Sequence, residues 1–354
     1  MPVDILVGGQ GGDEGKGKIA ASLALATPYF GTPYQAIVRV PSPQAGHSIH
    51  INGNRIGLAQ LPCGIVNKDL EIILGAGSLI SVEKLLREIR ETEINPQKLK
   101  IDYKATIVTP EHVEQELENN HLMKKIGSVG TGVGPCRNSK IMRKDLIFAK
   151  DVLQLQPYLA DTKKEISKIL EKGGNILFEG DHGAKLDLVH GEYPMVTSRI
   201  VNASGFLSEA GIGPKEVREV YVILKPYTTR VAAGPLEEEI VDEKILDYAL
   251  KQGGESGTVS KRTRRIGCFE WNKVQETIRM NTATKLAITH LDIPDFFWKG
   301  LGYNTEDNCA AFLKDIENNL CLQYPYPKIK LLSFGPRVED TFEYWEYSTR
   351  KNKK

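Results

Sequence analysis

The sequence predicts an α/β fold: a single domain over residues 1–354, with a central, mostly parallel β-sheet flanked by helices. Three observations predict it. Short runs rich in Ile, Leu and Val recur along the chain and mostly end in Gly or Asp, as buried parallel strands do. Stretches that mix apolar and charged residues at helical spacing lie between them. No internal repeat, low-complexity tract or Pro/Gly-rich linker divides the chain, and the glycines sit at strand ends.

Taken in order, the strands are expected at residues 4–9, 35–40, 70–75, 175–180, 220–225, 285–292 and 328–335. Helices are expected at 79–92, 110–119, 156–172 and 305–319, and the apolar stretch after Lys18 can form another. Strands that alternate with helices build layered α/β proteins.

Composition narrows the function. With 46 Lys plus Arg against 45 Asp plus Glu, no excess charge draws the chain onto nucleic acid or an acidic membrane, and neither is an expected partner. No apolar run approaches the roughly 18 to 20 residues that cross a bilayer, and the start lacks a basic segment followed by an apolar one, so a cytoplasmic location is expected. Cys63, Cys136, Cys268, Cys309 and Cys321 are odd in number, widely spaced and free of any CxxC, which reads as reduced thiols.

The strongest local signal follows the first strand: Gly8-Gly9-Gln10-Gly11-Gly12-Asp13-Glu14-Gly15-Lys16-Gly17-Lys18. Glycines let successive N–H groups converge on an anion at a helix N-terminus, with Lys16 and Lys18 as countercharge. The spacing differs from GxxxxGK[ST], and two acids stand where an anion would repel them. Such a carboxylate can hold Mg²⁺ or accept a proton from a substrate beside the phosphates. A second segment, Ser42 through Gly53, follows the second strand and reads as a loop in which His47 is a candidate general acid.

Together these segments resemble the adenylosuccinate synthetase family. The shared features are the Gly-Asp-Glu-Gly-Lys-Gly-Lys loop, Ala45-Gly46-His47, Ile51-Asn52-Gly53 and Leu61-Pro62-Cys63-Gly64-Ile65. The likeness continues through Lys125-Ile126-Gly127-Ser128-Val129-Gly130, Ile141-Met142-Arg143-Lys144, Phe178-Glu179-Gly180, His190-Gly191-Glu192-Tyr193-Pro194, Thr229-Arg230-Val231, the stretch 257–267 and Thr289-His290-Leu291-Asp292. It spans nearly the whole chain and implies a P-loop-NTPase-like fold and a ligase. Members join L-aspartate to C6 of a 6-oxopurine nucleotide, using a nucleoside triphosphate to phosphorylate the 6-oxygen before the amine displaces it. The chemistry needs removal of the N1 proton and conversion of a poor leaving group to phosphate.

The resemblance implies roles residue by residue. Asp13 is the base and a Mg²⁺ ligand, His47 donates toward the 6-oxygen, and Lys16 offsets phosphoryl charge while the Gly46 carbonyl completes the metal shell. Gln44, Ser128, Val129, Arg143, His182, Thr197, Val231 and Arg262 would hold the purine monophosphate, with Arg143 supplied in trans by the second chain of a homodimer. Gly257, Thr258, Val259, Ser260, Arg262 and Arg264 would hold aspartate, the two arginines alternating so that both face one dicarboxylate. Gly12, Glu14, Gly15, Lys16, Gly17, Lys18, Gly46, His290, Asp292, Ser333, Gly335 and Pro336 would hold the nucleoside triphosphate.

The chain departs from the family at one place in particular. Gln44, Val129, His182 and Gly11 replace the usual Asn, Thr, Gln and Trp, and all four are expected at the nucleotide pocket; Gly11 is expected to open one wall. The pattern is that of the viral branch that converts dGMP to 2-amino-deoxyadenylosuccinate, so (d)GMP is the first expectation and IMP the alternative. A nucleotide-binding switch without turnover is the reading from another class. His290 replaces the usual Lys of the donor-base motif, which leaves ATP, dATP and GTP open as donors.

Overall fold

A ten-stranded sheet runs through the computed structural model, which describes residues 2–25, 33–51, 53–231, 233–255, 262–320 and 326–345. In chain order the strands are β1 (Val3–Gly8), β2 (Ala36–Arg39), β3 (His47–Ile51), β4 (Asn54–Leu58), β5 (Glu71–Leu74), β6 (Leu79–Ile80), β7 (Leu99–Asp102), β8 (Thr106–Ile107), β9 (Leu159–Ala160), β10 (Ile176–Glu179), β11 (Val217–Leu224), β12 (Thr228–Arg230), β13 (Arg265–Gly267), β14 (Lys285–Ile288), β15 (Lys328–Ser333) and β16 (Thr341–Glu343). The large sheet has the order β16-β15-β14-β11-β1-β10-β2-β5-β7-β9, and every neighbouring pair is parallel except β15 with β16. All seven runs read from the sequence are parallel strands of this sheet.

The two faces of β1 explain the layering. Val3, Ile5 and Val7 point to one side, where Phe178, Val222 and Ile288 continue the surface. That side is covered by α6 (Ala203–Ala210), α8 (Trp271–Met280) and α10 (Asn308–Leu320) through Phe206, Leu207, Ile278 and Phe312. Leu6 points to the other side, with Leu177 and Ile223, under Ile19 and Leu23 of α1 (Lys16–Ala24) and Leu85 and Ile89 of α2 (Val82–Thr92). Strands buried on both faces are continuous apolar runs for this reason.

Several bounds differ from the sequence reading. The run 285–292 stops at Ile288, because His290 has φ 55 and the chain turns out of the sheet before Asp292. The run 156–172 is divided: a short 3-10 turn carrying Pro157 precedes β9, and the helix begins at Thr162, where the Asp161 side chain accepts from the Lys164 N–H at 3.3 Å. The segment read as a loop around His47 is a hairpin, with β3 and β4 paired antiparallel and His47 opposite Leu58. Cys63, Cys136 and Cys268 are free thiols; Cys321 lies outside the described residues.

Candidate active site

The carboxyl ends of β1, β2, β10, β11 and β14 open into one cleft of about 650 Å³. Clefts at this edge of a parallel sheet are where such folds bind ligands.

The loop after β1 is tied down before any ligand arrives. Gln10 donates from its amide to the carbonyls of Lys225 (3.2 Å) and Tyr227 (3.1 Å) and accepts from the Lys225 N–H (2.9 Å). Glu14, expected beside the donor nucleotide, turns inward. One of its oxygens accepts from the N–H groups of Gln10 (3.0 Å) and Gly12 (2.9 Å), and the other meets the Lys16 ammonium at 2.5 Å. Burial pushes this carboxyl up, but the Lys16 charge and these hydrogen bonds hold it below its ordinary value. Asp13, at φ 62, projects its carboxylate into the cleft. Gly15, at φ 83, begins α1 without a side-chain cap.

Gly17 sets the approach of β3 to α1. A Cβ there would lie 2.7 Å from Cys63 Sγ and 2.9 Å from His47 Cβ. His47 is thereby brought to the N-terminus of α1, in the same cleft as Asp13. The ring is fixed from behind: Nδ1 lies 2.5 Å from Glu179 Oε1, and Glu179 Oε2 accepts the Cys63 N–H at 2.7 Å. A carboxylate at Nδ1 assigns that nitrogen a proton and leaves Nε2 to serve a ligand. The segment leading to His47 is anchored by the fully buried Arg39, which donates to the carbonyls of Leu61 (2.6 Å) and Ala45 (3.0 Å) and to Asp181 (2.7 Å).

Beside this pair lies a wall of polar groups. The Gln44 amide nitrogen donates to Thr197 Oγ1 at 2.7 Å and lies 3.3 Å from His182 Nε2. With its nitrogen committed, Gln44 presents its carbonyl oxygen as the open acceptor. Loss of solvent drives the His182 imidazole down to about 3, so it is neutral at physiological pH. Val129, Ser128 and Val231 also line the cleft. Ser128 Oγ donates to Glu116, a buried carboxylate that also accepts the N–H groups of Gly130 and Gly132. Gly11 does not open a wall as expected: a Cβ there would meet the Thr229 carbonyl oxygen at 2.5 Å, so backbone packing excludes a side chain in this conformation.

The two arginines read as one fork part company. Arg262 is exposed and donates to the carbonyls of Gly127 (2.7 Å) and Ser128 (3.1 Å), whereas Arg264 is buried and lines the cleft, with Nη2 2.6 Å from Asp13 Oδ1 and Nη1 2.5 Å from Glu255 Oε2. Gly257, Thr258, Val259 and Ser260 lie outside the described residues. Arg143 sits at φ 55 just past α4 (Val133–Ile141), exposed and away from the cleft of its own chain.

At the other end of the cleft, Lys18 donates to the Gly335 carbonyl oxygen, and burial lowers its ammonium to about 8 against the pull of Asp292 and Asp340. Gly12, Gly15, Gly17, Gly46, His290, Asp292, Gly335 and Pro336 line the cleft. His290 lies 2.8 Å from Thr289 Oγ1 through Nδ1, and loss of solvent, helped by Lys225, lowers it to about 3. It therefore brings no charge to the position where the family has a lysine. Ser333 is fully buried at the end of β15 and stands outside the lining.

The donor set suits Mg²⁺: the Asp13 carboxylate and the Gly46 carbonyl are hard oxygen ligands at the cleft. Among the described residues His47, Cys63 and Glu179 also approach one another closely enough to share an ion, but a thiol and an imidazole beside the Arg39 guanidinium are a poor match for that cation. Sequence reasoning assigned no role to Gln10, Glu116, Glu179 or Glu255. The available signal was a charged residue closing an apolar run, as in Phe178-Glu179.

The sequence profile of the adenylosuccinate synthetase family matches residues 5–154 and 147–307. An adenylosuccinate synthetase of Methanococcus aeolicus is 38% identical over 349 residues, 97% of this chain and 99% of that protein. One of Pyrococcus sp. is 37% identical, over 96% of this chain and 97% of that protein. Among solved structures, the cyanophage S-2L succinoaminodeoxyadenylate synthetase (PurZ), bound to dGMP and to dATP as an energy donor, aligns with a TM-score of 0.80 and 25% identity, over 97% of this chain and 95% of that one. The fully ligated adenylosuccinate synthetase of Plasmodium falciparum aligns with a TM-score of 0.82 over 97% of this chain and 100% of that one, and at 23% identity it speaks for the fold.

Proposed function

The chain belongs to the adenylosuccinate synthetase family and is a Mg²⁺-dependent C–N bond-forming ligase of that type; on that premise we propose that its purine substrate is (d)GMP and its product 2-amino-(d)adenylosuccinate. The observation that carries the substrate choice is the Gln44–Thr197–His182 cluster. Gln44 lines the cleft with its amide nitrogen committed to Thr197, which leaves its carbonyl oxygen to accept, and guanine carries a 2-amino donor where hypoxanthine has only C2–H. The likeness to a synthetase bound to dGMP and dATP supports the same reading, and the neutral His290 suits a donor base other than guanine. IMP is the alternative, favoured by archaeal relatives named adenylosuccinate synthetase.

In this reading Asp13 takes the N1 proton, and the 6-oxygen attacks the terminal phosphorus of the triphosphate. An O–P bond forms to the base while the nucleoside diphosphate leaves. His47, held by Glu179, donates from Nε2 toward that oxygen, and Lys16 offsets phosphoryl charge. The aspartate amine then bonds to C6 as phosphate departs with the C6–O bonding pair, and the proton the amine loses passes to the departing phosphate. Asp13 and the Gly46 carbonyl would hold Mg²⁺, which would supply charge neutralisation on the phosphoryl oxygens. Arg264, with the segment 257–260, receives aspartate.

We also assign a homodimer in which Arg143 reaches the partner's nucleotide phosphate. Ile141 (74% exposed) and Met142 (62% exposed) precede it, and an exposed apolar pair beside an outward arginine suits an interface. Among the described residues no helix is long and apolar enough to cross a membrane, and we place the enzyme in the cytoplasm. Phosphate release with aspartate and IMP, GMP or dGMP, each with ATP, dATP or GTP, tests the substrate choice; a higher kcat/KM for IMP than for dGMP rejects it. Phosphate release by the Arg143→Ala protein mixed with an Asp13→Ala protein tests the dimer, because mixing restores activity only if the arginine acts in trans.

A further inference from the structure

We propose that Glu255 is the positioning residue for Arg264: it grips the guanidinium end-on and so leaves the side-on edge open for a carboxylate of the amino-acid substrate. The proposal rests on the reading of Arg264 as an aspartate contact. A guanidinium offers two planar forks, one formed by its two terminal nitrogens and one by Nε with a terminal nitrogen. Here the end-on fork is divided between two acids. Nη1 donates to Glu255 Oε2 at 2.5 Å and Nη2 to Asp13 Oδ1 at 2.6 Å. Nε, on the other edge, is buried without a partner. A buried donor left unpaired is costly, and because the Arg264 side chain lines the cleft, an acceptor brought by a ligand would satisfy it.

Glu255 is itself held on every side. It is 1% exposed; Oε1 accepts from Lys225 Nζ at 2.8 Å and from the Tyr227 hydroxyl at 2.7 Å, and its backbone carbonyl accepts the Arg264 N–H at 3.2 Å. Burial pushes its carboxyl up, but Lys225 and Arg264 hold it far below the ordinary carboxylate range, so it stays ionised. Because Lys225 shares the Glu255 charge, the grip does not spend the whole of it on Arg264, which keeps attraction for an incoming dianion. Main-chain and side-chain contacts together fix both the position and the rotation of the guanidinium.

The test compares four variants by steady-state phosphate release, with thermal unfolding measured on each. Glu255→Gln is expected to raise the KM for aspartate at least about tenfold, as loss of a charge-assisted contact does, with the KM values for both nucleotides within about twofold. Glu255→Asp restores charge and recovers part of that loss, and it provides the same comparison if the Gln protein does not fold. Tyr227→Phe loosens the same carboxylate without touching Arg264, and it is expected to move the aspartate KM by less than about twofold. The proposal is overturned if Glu255→Gln shifts all three KM values alike, if it lowers kcat alone, or if Tyr227→Phe matches it. Arg264→Lys separates the two failures. An aspartate KM raised by Arg264→Lys but not by Glu255→Gln sinks the positioning role alone, and one raised by neither sinks the aspartate assignment with it.

Discussion

Replacing Gly17 by alanine tests whether α1 holds His47 in the cleft. The added Cβ would lie 2.7 Å from Cys63 Sγ, 2.9 Å from His47 Cβ and 3.2 Å from the Ser48 carbonyl oxygen. Carbon atoms rest at about 3.5–4.0 Å, so β3 must withdraw from the helix by roughly 1 Å. A shift of about that size in a reacting group costs on the order of a hundredfold in rate. Overpacking costs about 1–3 kcal/mol, while alanine in a helix returns at most about 1 kcal/mol, so the clash outweighs the propensity. The expected result is a kcat lower by about two orders of magnitude, a lower Tm and smaller changes in the nucleotide KM values. Gly213→Ala is the control, since a Cβ there meets nothing within 4 Å. A Gly17→Ala enzyme with the parental kcat would refute the idea that this helix–strand contact positions the imidazole.

Lys18, lowered to about 8 from 10.5, should lose its charge as pH rises, so the KM for the triphosphate is flat below about pH 7.5 and rises about tenfold by pH 9; Lys18→Arg abolishes the rise. Stability moves oppositely: the unfolded chain keeps that proton up to 10.5, so the cost of burying the ammonium is present below pH 8 and relieved between 8 and 10.5, which thermal unfolding across that window measures. Glu14 has a depressed folded-state value, so the stability it contributes is present above the unfolded 4.5 and is lost as pH falls through the folded value; Glu14→Gln should lessen acid unfolding, and an unchanged acid limb would count against its ionised state. Glu179→Gln leaves His47 without a carboxylate at Nδ1, and kcat should fall about 10² to 10⁴-fold with little change in KM, as expected for acid–base work. Gln44→Met removes the acceptor, and kcat/KM for dGMP should drop about 10- to 100-fold more than for IMP in side-by-side assays; equal losses would reject Gln44 as the reader of the 2-amino group.

Much of the scaffold was legible because the parallel strands are buried on both faces and show as unbroken apolar runs. The run Asp4-Ile5-Leu6-Val7 could hardly be anything else, and it occupies the centre of the sheet. Helices such as α6, with the sequence Ala-Ser-Gly-Phe-Leu-Ser-Glu-Ala, were not legible: small residues leave little periodic contrast, and the helix is held by tertiary packing of Phe206 and Leu207. In the cleft, Asp13, His47, Lys16 and Arg264 were visible from motif and resemblance. Their supports were not. Glu179 behind His47 and Glu255 behind Arg264 are paired only by the fold: the apolar run that Glu179 closes marks it as buried without naming its partner, and Glu255 follows two glycines with no such run. Glu14 shows the limit from the other side, since a motif acid next to Asp13 points away from the ligand.

The inward turn of Glu14 has a thermodynamic corollary. A glycine-rich hinge of this kind would ordinarily sample many shapes and would surrender that freedom only upon capture of an anion, weakening capture accordingly. Here an internal carboxylate has already imposed the order, so an arriving triphosphate meets a finished surface and its contacts go to holding cargo instead of organising the polypeptide.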